Sequence, residues 1–254
     1  DGCPVHGEAI FRVPGGPWRI DPFNRPWKIR CAVGGEEYPS NDFMAYYRTK
    51  DRSLLTGDHP DDGKGWDPGD GRKRFWFAAT YSFHLYRQII PALQDLSRAY
   101  LLTGEARFGR KGAILIHRLA ELFPTMDHAN QSWYGAEFLS GYVGRFEYAV
   151  SESFNIGLYA EAFDALLPAL LSDRDVHAFT GKDPEALVSH VERNLVRQSV
   201  RDLWEGKIRG NYGLHQASAV RALIALDDPE FTSWALERLK NYTGVGPKTE
   251  VWAY

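Results

Sequence analysis

The stretch richest in groups able to do chemistry lies near the C-terminal end: Gly210-Asn211-Tyr212-Gly213-Leu214-His215-Gln216, running into Ala217 to Leu226. An amide, a phenol, an imidazole and a second amide open a segment that then turns small and apolar. From Ala217 to Leu226 the composition is that of a buried helix. On such a helix Asn211 and His215 share one face, a turn apart, and Tyr212 and Gln216 share the next. Burying these groups at one helix end is costly unless each finds a partner. Local structure can supply the partners, with Asn211 as N-cap and His215 as a satisfied core histidine. A bound ligand can supply them equally well.

A second set of reactive side chains sits at the other end of the chain. Cys3-Pro4-Val5-His6-Gly7 and Cys31-Ala32-Val33-Gly34-Gly35 rhyme. Both resemble the C-P-x-C-G knuckle of zinc ribbons, in which two knuckles supply four ligands. The ligand positions here read Cys3, His6, Cys31 and Gly34, so the fourth is missing. A closed structural zinc site needs four ligands. The sequence therefore assigns no metal and calls for no cofactor; a zinc reading would rest on Cys3, His6 and Cys31 alone. Paired knuckles would still bring the two cysteines together, as a disulfide in a secreted protein or as two free buried thiols. The acids of Gly57-Asp58-His59-Pro60-Asp61-Asp62-Gly63 lack EF-hand spacing and read as a solvated surface turn.

Polar, aromatic loops complete the candidates. His128, Asn130, Gln131, Trp133 and Tyr134 form one loop; Tyr38, Asn41 and Asp42 form a second; Trp204, Glu205 and Arg209 lead into the motif at Asn211. Aromatic faces stack on pyranose rings, while amides, imidazoles and guanidiniums hold hydroxyls and carboxylates, so this set suits an acidic sugar polymer. Each aromatic taken singly is equally at home packing a helix end. A Ser nucleophile elbow, a P-loop, a dinucleotide fingerprint and an H-E-x-x-H motif are all missing.

These groups need a scaffold. The chain has 254 residues, 44% of them hydrophobic and 14% aromatic, with a net charge of −3, which suits a globular core and argues against nucleic acid as partner. No apolar run approaches the roughly 20 residues of a membrane span. Residues 1–73 are rich in Gly, Pro, Asp and aromatics, and are expected to form an irregular segment carrying the degenerate knuckles. From residue 74 to 254 the apolar spacing is helical. It predicts a helix over Phe75–Leu102 with a kink or break at Pro91, and a second over Arg107–Leu122 after the tight stop at Thr103-Gly104. Further helices are expected over Glu147–Leu170 with a break near Ser153, Pro184–Trp204, Asn211–Leu226 and Phe231–Tyr242. Short links between helices predict antiparallel pairs. The expected fold is mainly α, an incomplete (α/α) toroid of helical hairpins. The chain opens at Asp1 without Met and stops at Tyr254 mid-element, so the expectation is a piece of a longer protein.

Gly210-Asn211-Tyr212-Gly213-Leu214-His215-Gln216-Ala217 resembles the G-N-[NH]-[GH]-…-Q-A opening of a toroid helix in heparinase II/III-type polysaccharide lyases. Ala99-Tyr100-Leu101-Leu102-Thr103-Gly104, Ala162-Phe163-Asp164 and Tyr38-Pro39-Ser40-Asn41-Asp42-Phe43 support the likeness, which spans most of the chain. That family pairs an α/α toroid with a C-terminal antiparallel β-sandwich domain. The resemblance implies β-elimination on a uronic-acid-containing glycan in a periplasmic or secreted setting. Asn211 would hold the uronate carboxylate. Where the family often has His, this chain has Tyr212, so the base is either Tyr212 or His215, with the family's main Tyr expected beyond Tyr254. Two other readings stay open. One is an α/α-toroid glycoside hydrolase using Asp127, Glu137 or Glu205 as general acid; the other is a non-catalytic carbohydrate-binding module.

Overall fold

The computed structural model describes residues 2–71, 74–126, 144–146, 149–208 and 212–240. The chain divides into two compact units: the first comprises the described residues up to Gln88, the second those from Ile89 onward.

The first unit holds more regular structure than its Gly- and Pro-rich composition predicts. Strands β1 (Trp18–Asp21), β2 (Arg25–Cys31) and β3 (Glu37–Tyr38) form an antiparallel sheet in that order. Trp18 pairs with Cys31, Ile20 with Ile29, and Ile29 with Tyr38. This register puts alternate residues on one face, and Ile29, Cys31 and Tyr38 are buried there with Cys3, Ile10, Phe75, Phe77 and Tyr81. Strands of four, seven and two residues hold too little alternation to stand out in the sequence. Helix α1 (Phe43–Thr49) begins at Asp42, whose carboxylate accepts from the Ala45 amide, and ends at Lys50 in the left-handed conformation.

Helix α2 (Phe77–Thr103) runs unbroken through Pro91. It stops at Gly104, where φ is +68° and the amide bonds back to the Tyr100 carbonyl. Helix α3 (Ala106–Leu122) follows, then α4 (Ala149–Ser172), the long central helix of the second unit. No break occurs at Ser153, which is fully buried inside α4. Helix α5 (Arg174–Thr180), not anticipated from sequence, is capped by Asp173 and closed by Gly181. Helix α6 (Pro184–Val191) passes through a π-helical turn (Glu192–Arg197) into α7 (Gln198–Trp204), so the predicted Pro184–Trp204 rod is one helix with a wide turn in its middle. Helices α8 (Tyr212–Leu226) and α9 (Pro229–Lys240) complete the described elements. The chain is mainly helical.

α4 packs most extensively against α8, and also against α3 and α6. Small residues set these distances. A Cβ on Gly112 of α3 would come within 2.7 Å of Leu166 on α4. One on Gly157 of α4 would meet Arg221 at 3.1 Å and Ser218 at 3.4 Å, both on α8. Over Glu152–Ser172, α4 is long and apolar enough to cross a membrane by composition alone. Its apolarity has a simpler cause: Ile156, Tyr159, Ala160 and Leu166 of this helix are fully buried as the core of the unit.

Candidate functional site

Helix α8 positions the described part of the motif. Ser218, Ala219, Ala222 and Leu223 form its buried face, and Gly157 lets α4 approach it closely. His215 precedes Ala219 by one turn on that face, so packing the face also buries the imidazole, which is 2% exposed. Among the described residues no hydrogen bond reaches His215 Nε2, nor either amide atom of Gln216. A buried polar atom without a partner costs on the order of 1–3 kcal/mol, so one helical turn gives up stability three times over. Burial pushes the His215 pKa down to about 4, and the ring is neutral at neutral pH.

Tyr212 is the first residue of α8. Asn211 and Arg209 lie outside the described residues, as do His128, Asn130, Gln131, Trp133 and Tyr134 of the polar loop and the acids Asp127 and Glu137.

The helix that precedes this motif, α7, carries a buried ion pair that sequence reasoning missed. Asp202 on α7 is fully buried and meets Arg145 two-pronged, Nε to Oδ2 at 2.7 Å and Nη2 to Oδ1 at 2.9 Å. Arg145 Nη1 also donates to the Pro124 and Met126 carbonyls, and Gln198 donates to Asp202 Oδ1 at 2.8 Å. The Asp202 carbonyl accepts from the amides of Lys207 and Ile208. An acid set among Val200 and Leu203 on one short helix was the only trace of this in the sequence.

Two sequence expectations are corrected here. Asn41 is fully buried; its side chain accepts from the Asp61 amide at 2.9 Å and donates to the Asp61 carbonyl at 3.2 Å. That is a structural clamp inside the first unit, not a substrate contact. Asp61 itself is 1% exposed rather than solvated; its carboxylate accepts from the amides of Gly63, Gly65 and Ala78. Burial raises the Asp61 pKa against the lowering effect of those three donors. Glu205 fares poorly as a general acid: its hydrogen bond with Lys207, at 2.7 Å, holds its carboxyl below the ordinary range, where a general acid needs it raised.

The two knuckles meet as the sequence expects, but with a different fourth member. Sγ of Cys3, the His6 ring, Sγ of Cys31 and the Glu36 carboxylate offer atoms that all lie within 4.8 Å of one another. Both cysteines are buried and unlinked. Burial would raise the Cys3 thiol, but the Tyr38 hydroxyl and the backbone of His6 and Val5 outweigh it and lower the pKa; burial raises that of Cys31. A separate cavity of about 300 Å³, lined by Tyr100, Arg110, Ser172, Asp173 and Asp175 among others, contains none of the candidate residues. Its Arg110 is already paired with Asp173 at 3.1 Å and Asp175 at 2.6 Å.

Comparison with protein-family models, with curated proteins and with solved structures returned no match for this chain.

Proposed function

We propose that the helices from Phe77 onward belong to an (α/α) toroid and that the protein is a polysaccharide lyase, cleaving a uronic-acid-containing glycan by β-elimination. The carrying observation is the cluster of buried, partnerless polar atoms at the start of α8, His215 Nε2 with Gln216 Oε1 and Nε2, directly after Asn211-Tyr212. Unmet hydrogen-bonding capacity in the turn that follows Asn211-Tyr212 supports a polar site built there, with His215 and Gln216 holding its side chains rather than the sugar.

Elimination needs three things. The uronate carboxylate must be held and its charge offset, so that the C5 proton becomes acidic; a base must take that proton; an acid must give one to the departing glycosidic oxygen. Asn211 is assigned the carboxylate, because a neutral amide donates to it without repulsion. Tyr212 is assigned the base. His215 is too deeply buried to meet a sugar C5 proton. We assign it, with Gln216, to positioning the residues above it; a neutral imidazole can accept a hydrogen bond there without introducing charge. No cofactor enters these steps.

The test is ultraviolet absorbance of unsaturated uronide, measured with the full-length protein on a panel of uronate polymers. Absorbance should rise on one polymer and fall by at least about 100-fold in rate in Asn211→Ala, the loss typical of one oxyanion-stabilising donor. Reducing ends without absorbance would mean hydrolysis. Glycan binding that survives Asn211→Ala, with no product at all, would mean a binding module. Either result overturns the lyase reading.

A further inference from the structure

The knuckle cluster in the first unit has no part in the proposed elimination, and its geometry asks for an occupant. His6 Nδ1 faces Cys3 Sγ at 3.7 Å, Cys31 Sγ at 3.6 Å and Glu36 Oε2 at 3.4 Å. One imidazole nitrogen carries at most one proton, so hydrogen bonding cannot serve three such neighbours at once. A single cation can. Around a tetrahedral zinc, with bonds of about 2.3 Å to sulfur and about 2.0–2.1 Å to nitrogen or oxygen, the edges come to about 3.6 Å for S···N and about 3.3 Å for N···O. The observed separations fall on those edges.

The missing fourth knuckle ligand is accounted for by the same geometry. A Cβ at Gly34 would collide with the His6 ring and with both carboxylate oxygens of Glu36. The space beside Gly34 is therefore filled by the His6 ring and the Glu36 carboxylate. Glu36 Oε2 is buried and accepts no hydrogen bond. The backbone on both sides is already folded for ligation. Cys3 and Gly7 exchange both backbone hydrogen bonds, at 3.1 and 2.8 Å, the Cys31 amide bonds to the Glu36 carbonyl at 2.8 Å, and the Gly35 amide bonds to the Cys31 carbonyl at 3.0 Å. Tyr38 Oη stands 3.5 Å from Cys3 Sγ, placed to donate to a thiolate.

We propose that Cys3, His6, Cys31 and Glu36 form a four-ligand zinc site that ties the N-terminal loop to the β2–β3 turn. Two thiolates and an imidazole select zinc over magnesium or calcium, whose preferred ligands are oxygens. Four protein ligands leave no open position, so the site is structural rather than catalytic. Binding displaces the two thiol protons to solvent and forms the metal–sulfur bonds without any change of oxidation state.

The experiment is metal analysis of the full-length protein, purified with reductant and without chelator, followed by cobalt(II) exchange. The expected result is one zinc per chain and, after exchange, a thiolate-to-cobalt charge-transfer band in the near ultraviolet. Cys31→Ser should weaken that band. Glu36→Ala should lower zinc affinity by at least about tenfold, since even outer-shell partners are worth that much. Glu36→Asp, which keeps a carboxylate at 36, should retain tighter binding than Glu36→Ala, a difference that misfolding alone would not produce. Trace zinc with no cobalt band, affinity indifferent to Glu36→Ala and Cys31→Ser, or a Cys3–Cys31 disulfide in fresh protein would each overturn the site.

Discussion

At the scale of single residues, the informative ones are polar side chains in the wrong place. His215 is a neutral imidazole by burial, and that has a pH signature. In the unfolded chain a histidine has a pKa of about 6.5, while burial in the folded protein pushes that of His215 down to about 4. Between those values the unfolded chain binds more protons. Stability is therefore full above about pH 6.5, falls as the pH drops, and levels off below about pH 4, for a loss on the order of 3 kcal/mol. His84, His117 and His190 are shifted the same way by burial and steepen the same slope. Denaturant midpoints measured from pH 7.5 down to 4.5 should fall, and fall less in His215→Gln; an unchanged slope in that variant would mean the ring is not held neutral in the core. Asn41 makes a contrasting prediction. Asn41→Ala strips the Asp61 backbone of both its bonds to the amide and should cost about 1–3 kcal/mol of stability, with glycan affinity unchanged. Asn211, Tyr212 and His215 stood out as candidates from type and spacing. The clamp at Asn41 was not, because its partner stands 20 residues away.

At the scale of elements, glycines and one buried ion pair decide how the second unit closes. Gly112 admits Leu166 of α4 where any side chain would collide. Gly112→Val should destabilise by about 1–3 kcal/mol through overpacking, measurable as a lower melting temperature with helix content retained before the transition. Asp202→Ala would strand Arg145 in a largely buried position, its side chain only 13% exposed. Breaking such a pair from one side costs about 3–5 kcal/mol. The Asp202 backbone carbonyl keeps the amides of Lys207 and Ile208 in that variant, so the loss should appear as a lower melting temperature. The long helices were legible from the apolar period; the short α1 and α5 were not. Nor was continuity: Pro91 and Ser153, both expected as breaks, sit inside helices, since a long helix can absorb the one backbone bond a proline removes.

At the scale of the whole molecule, two compact units differ in how they are held. The second is held by apolar helix faces: Ile116, Tyr159, Leu166, Leu195 and Val196 are fully buried. The first has a three-stranded sheet, an aromatic cluster and a knuckle, with few regular elements for its length, and the proposed zinc would tie it together. Amide exchange followed by mass spectrometry should show this directly. Adding a chelator should speed exchange over β1, β2, β3 and the Cys3–Gly7 loop while α4 and α8 keep their protection. Equal loss in both units would mean that the metal is not what stabilises the first.

The sequence by itself determined the mainly helical character beyond Phe77, the meeting of two knuckles, and a polar motif at a helix start, because each is written in local periodicity or in residue types a few positions apart. Tertiary structure alone decided that Glu36 rather than residue 34 completes the cysteine–histidine cluster, that Arg145 finds Asp202, and that His215 is sealed from water. Each of those depends on a contact between elements, where side-chain volume and burial, not spacing along the chain, choose the partner.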